Sequence, residues 1–89
     1  MNLTREEHFA IEAKLNFMLG VAAYDAVFPG FQIVALENGT LNVFAPTEWS
    51  AGLIESRYSY ELGVAAESVL QRPVTFINVL PRELRLNIM

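Results

Sequence analysis

Asparagine followed by glycine at positions 38 and 39, set between two apolar runs, commits this chain to a tight β-hairpin. A two-residue type I′ turn needs positive φ at both central residues, and Asn-Gly reaches it at low cost. Counting outward from such a turn, Glu37 faces Thr40, Leu36 faces Leu41 and Val34 faces Val43. Strands over residues 31–37 and Thr40–Ala45 then put Val34, Leu36, Leu41 and Val43 on one apolar face. The other face takes Ala35, Glu37, Thr40 and Asn42. It also carries the apolar pair Ile33 and Phe44, either covered by a helix or left at the back of the sheet. Pro46 has no amide hydrogen for a ladder, so the second strand stops before it. Thr47 follows, placed to accept from the free amides of a helix's first turn.

The same logic orders the rest of the chain. Thr4 with Glu7 three residues later forms a capping-box pattern and predicts a helix start. Its apolar stripe is Phe9 (or His8), Ile11, Leu15, Met18 and Leu19, and Gly20 ends or bends it. Residues 21–28 read as a shorter second helix stopped by Pro29-Gly30. A long helix is expected from Thr47 to about Gln71, with Ile54, Tyr58, Leu62, Ala65 and Val69 facing inward. Gly63 inside it costs about 1 kcal/mol against alanine, which predicts a bend or a close contact there. Arg72-Pro73 ends this helix, and residues 74–79 read as a third strand. Helix, helix, strand, strand, helix, strand gives an α+β fold, with helices packed on one side of a three-stranded sheet. The expected domain covers residues 1–79. The tail, 80–89, is open to three readings: a disordered end, an added strand or a docking segment.

Composition narrows the function. The chain has 89 residues, of which 53% are hydrophobic and only 18% charged. So small a core cannot hide that much apolar surface, which favours a protein partner or self-association over a solitary monomer. The net charge of −4, with Arg and Lys scattered, leaves at most weak contact with single-stranded DNA. There are no cysteines, so disulfides and thiol chemistry are excluded, as expected for a cytoplasmic protein. No apolar run approaches the length that spans a bilayer, so no membrane is expected.

Chemistry is equally sparse. His8 is the lone histidine, and a metal site needs several convergent ligands, so no metal or other cofactor is expected. Asp25, Glu37, Glu48, Glu55, Glu61, Glu67 and Glu83 are dispersed over different elements, and no serine has a histidine identifiably placed to activate it. No phosphate-binding G-x-x-x-x-G-K-[ST] loop occurs, nor the G-x-x-G loop with which KH domains clamp nucleic acid. The chain has no expected catalytic residue and reads as a non-enzyme.

Thr40, Leu41, Phe44, Ala45, Pro46, Trp49, Ile54 and Tyr58 form a pattern that resembles the amino-terminal domain of the bacterial replication initiator DnaA. The likeness is good over residues 38–58 and fair in element order over 4–79, and it departs in the first thirty residues. It implies a KH-like fold and a protein–protein interaction module of DNA replication initiation. Its partners would be the replicative helicase, DnaA itself or a regulator of DnaA. Trp49, three residues after Ala-Pro, matches an aromatic contact for helicase and regulators, with Glu48 beside it. Phe9 is the best counterpart of an aromatic used for self-association, and Tyr24 and Asp25 of an acidic contact region on the second helix. Without the ATPase and DNA-binding domains of an initiator, such a module would be part of a longer initiator or a free-standing adaptor. From the residues alone, Trp49 either seals the core or anchors an interface. The alternatives are a small KH-like single-stranded nucleic-acid binder and a structural homodimer.

Overall fold

The computed structural model describes residues 1–82. Helix α1 (Arg5–Leu19) starts with the expected reciprocal cap. Glu7 N–H donates to Thr4 Oγ1 at 3.1 Å, and Thr4 N–H donates to Glu7 Oε1 at 2.9 Å. Helix α2 (Val21–Val27) follows at once, and the chain enters β1 (Gln32–Glu37) after Pro29-Gly30. The hairpin turn has φ of 54° at Asn38 and 81° at Gly39, the left-handed pair that Asn-Gly predicts. Strand β2 (Thr40–Ala45) pairs antiparallel with β1 and parallel with β3 (Phe76–Pro81), giving a mixed sheet in the order β1-β2-β3. The expected order of elements is therefore observed, and the fold is α+β.

Three local expectations are corrected. The register holds at Glu37↔Thr40 and Leu36↔Leu41, but a bulge between Ile33 and Ala35 makes Ile33, and not Val34, the partner of Val43. A bulge inserts one unpaired residue and flips the alternation beyond it. Ile33 thus joins Leu36, Leu41 and Val43 in the core, while Val34 is exposed and Phe44 is half-buried on the opposite face. The third strand begins two residues later than expected and runs through Leu80 and Pro81; residues 83–89 lie outside the described residues.

The long rod is also interrupted. Helix α3 (Glu48–Leu53) passes through a π-helical turn (Ile54–Tyr58) into α4 (Ser59–Leu70), so the irregularity sits before Gly63. Ser56 Oγ donates to Gly52 O at 2.7 Å, a side-chain bond of the type that loosens helical turns. The wide turn absorbs an extra residue, which lets Ala51 and Ile54 before it, and Leu62, Ala65 and Ala66 after it, all reach one core. Tyr58 at the junction packs its ring 5.8 Å from Phe28. At Gly63 itself there is room for a side chain: an added Cβ would lie 3.9 Å from Val74 Cγ1 and Ile77 Cδ1, an ordinary contact, so the expected close contact is not found there.

The core lies between helices and one face of the sheet. Ile11 and Leu15 of α1, Phe28, Leu41, Ile54 and Leu62 are fully buried there. Helix α1 also touches α4 at its surface, where Lys14 Nζ donates to Ser68 Oγ at 2.6 Å. Of the expected α1 stripe, Ile11 and Leu15 are buried and Leu19 half-buried, while Phe9 and Met18 are exposed and His8 turns inward.

Candidate partner-binding surface

Trp49 occupies the first turn of α3. Its backbone is fixed by a second reciprocal cap: Ser50 N–H donates to Thr47 Oγ1 at 3.1 Å, and Thr47 N–H to Ser50 Oγ at 3.2 Å. Ser50 and Ala51 turn into the protein, which points Trp49 outward, and its ring is 63% exposed. That position rules out Trp49 as a seal of the core. Glu48 beside it is exposed as well.

Phe9 is 56% exposed and lines a cleft of about 420 Å³ with Arg5, His8, Gly30 and Phe31. His8 packs its ring 5.4 Å from Phe31, and its Nδ1 accepts from Ile33 N–H at 3.4 Å, so it serves the edge of the core. Among the described residues no cluster of three metal-ligating side chains occurs. Gly30 backs this cleft onto Pro46, where an added Cβ would come within 2.9 Å of Pro46 Cγ, and its φ of +87° disfavours a side chain in any case. Phe9 and Trp49 therefore sit at the same end of the sheet, where β1 begins and β2 ends.

Tyr24 and Asp25 part company. Asp25 is exposed on α2, whereas Tyr24 is buried against Phe28, and its hydroxyl donates to Glu12 Oε2 at 2.8 Å. Burial, the hydrogen bond to Glu12 and the charges of Glu12 and Asp25 together push its ionisation well above the usual tyrosine range. Tyr24 holds α2 to α1 from inside the fold.

Sequence reasoning missed three large exposed groups: Phe17 at 89%, Tyr60 at 77% and Phe76 at 60%. Helical phase was the available signal. Phe17 lies two residues past Leu15, and Tyr60 two before Leu62, which puts each across the helix from the buried stripe. Five of the ten aromatic residues are thus at the surface.

No described helix is long and apolar enough to cross a membrane. Compared with known protein families and with curated proteins, the sequence matches none.

Proposed function

We propose that this chain is a non-enzymatic protein–protein interaction module of the kind that opens DnaA. It acts in the bacterial cytoplasm, in or on replication initiation, by binding a helicase, an initiator or a regulator through Trp49 and the surface beside it. The observation that carries the reading is the exposure of Trp49 on a doubly capped helix turn. A large ring with only two side-chain torsions, carried on a fixed backbone, loses little entropy on binding and desolvates a wide area, which is why tryptophan dominates interface hot spots. The observed order of elements and the surplus of exposed aromatics support the same reading.

The test is a pull-down of purified replicative helicase and purified DnaA with the wild-type chain and with Trp49→Ala. Loss of about 2 kcal/mol, or roughly thirtyfold in affinity, is expected from removing a hot-spot tryptophan. Because the ring is exposed, the circular dichroism of the variant should match wild type. Equal capture by both chains overturns the assignment of Trp49. Micromolar affinity for single-stranded DNA with a steep salt slope would overturn the module reading itself.

A further inference from the structure

Two independent observations meet at the outer edge of β3. The first concerns the backbone. Phe76 N–H donates to Gly39 O at 3.2 Å and Arg82 N–H to Ala45 O at 2.7 Å, so even-numbered residues of β3 turn their peptide groups toward β2. Alternation along a strand sends the N–H and C=O of Ile77 and Val79 the other way. β3 ends the sheet, so among the described residues no further strand meets those groups. Pro81, whose missing N–H would also have faced outward, closes this stretch at a position where a proline costs no ladder bond.

The second observation is a cleft of about 410 Å³ running between α4 and the start of β3. Its walls carry Tyr60, Val64 and Phe76, all exposed, and at Gly63 the helix contributes no side chain. Among the described residues its charged lining residues are Glu55 and Glu67, both acidic.

We propose that an extended peptide segment of a partner protein, whose cleft-facing alternate residues are apolar in the middle and lysine or arginine at the two ends, adds to the free edge of β3 and fills this cleft. Main-chain bonds to Ile77 and Val79 supply the strand pairing, and pockets for alternate side chains supply selectivity. Apolar side chains enter between Tyr60, Val64 and Phe76, and the basic ones meet Glu55 and Glu67. A second copy of this chain fits less well, because pairing the two edges draws the Glu55 and Glu67 carboxylates of both copies together in a protein already at −4. Neither Trp49 nor Glu48 lines the cleft, so this is a surface additional to the one proposed above.

The probe is a nine-residue peptide with lysine at positions 2 and 8, valine at positions 4 and 6 and threonine elsewhere, added to the full chain labelled with ¹⁵N. Amide exchange at Ile77 and Val79 should slow at least about tenfold on saturation. Replacing the lysines by glutamate, or N-methylating the pairing edge of the peptide, should each weaken binding about tenfold or more. Glu55→Lys combined with Glu67→Gln should weaken it by a similar factor and flatten its salt dependence, while keeping an acceptor for the Val74 N–H that Glu67 Oε2 binds at 2.8 Å. Binding by the Trp49→Ala variant should equal wild type, which separates failure here from failure of the Trp49 surface. Unprotected Ile77 and Val79 at saturating peptide, or no binding at millimolar peptide, overturns the proposal. Equal affinity for the glutamate peptide does the same. Protection that grows with protein concentration in the absence of peptide overturns it in favour of a second copy.

Discussion

Along β1, the outward amide of Leu36 donates to Met1 O at 2.9 Å, and Leu3 N–H donates to Val34 O at 3.3 Å. Asn2 bridges Ala35 between them, so residues 1–3 lie against that edge almost as a further strand. Along β3 the equivalent outward groups of Ile77 and Val79 meet no described strand. An unpaired edge is a template for any extended chain, and proteins usually blunt it with charge, proline, a bulge or a cover. Here the bulge at Val34 and the cover both fall on β1. The β3 edge has, among the described residues, its short length and Pro81, and Arg82, the cation that follows it in the chain, is engaged with Gln32 Oε1. The difference teaches that pairing capacity is suppressed on one side and retained on the other, beside exposed aromatic side chains.

The largest effect that sharpens this contrast comes from the strand both edges share. Leu41 is fully buried on β2, and Leu41→Ala should cost about 3 kcal/mol, read from the midpoint of urea unfolding. Both edges should loosen together, since β2 is the ladder partner of each. Exchange that accelerates on one side only would mean the sheet is not a single cooperative unit.

A smaller change should act on one edge alone. Gly39 O accepts from the amides of Thr75 and Phe76, so the hairpin turn also fixes where β3 begins. A Cβ at Gly39 would stand 2.7 Å from Thr75 Oγ1, and the residue has φ of +81°. Gly39→Ala should therefore cost about 1–2 kcal/mol, with amide exchange rising in β3 more than at the junction of β1 with residues 1–3. Equal loosening of both edges would contradict this placement.

How much of this was readable from the sequence depends on whether the cause is local. Asn38-Gly39, Pro46 and both threonine caps act through their own backbone, and all of them appear where expected. The bulge was not legible, because Ile33 and Val34 are equally apolar and only packing of the assembled core selects which turns inward. The π turn was hidden for a related reason: Ile54, Tyr58 and Leu62 fit an ordinary helical stripe on paper. Trp49 was readable as a candidate but not as exposed, since its orientation follows from Ser50 and Ala51 turning inward. The cleft beside β3 could not be anticipated at all, because it joins residues from α4 and β3 whose apposition depends on the parallel pairing of β3 with β2.

The two edges can be compared directly without any substitution. The amide of Leu36 and those of Ile77 and Val79 all point away from β2, yet only Leu36 has a donor–acceptor bond to the covering segment. In native-state exchange at low denaturant, Leu36 should be slower by at least about tenfold, equivalent to about 1.4 kcal/mol of local opening. Matching rates would show that residues 1–3 do not seal the β1 edge.

The smallest effect tests a contact that belongs to neither edge. The Tyr24 hydroxyl ties α2 to Glu12 of α1, so Tyr24→Phe should cost about 1 kcal/mol at neutral pH and shift exchange at the two edges equally. Its pH dependence has a definite sign. Burial first, then the hydrogen bond to Glu12 and the carboxylates of Glu12 and Asp25, raise the folded-state ionisation of Tyr24. The folded chain therefore holds that proton more tightly than the unfolded chain. The associated stability is full below the ordinary tyrosine value of about 10 and declines as pH rises above it. The difference between wild type and Tyr24→Phe isolates this one group. That difference should be constant from neutral pH to about 9 and shrink beyond about 10. A gap that stays constant to higher pH would mean that Tyr24 ionises in the folded chain as freely as in the unfolded one, and that its bond to Glu12 does not bind α2 to the helix that covers the sheet.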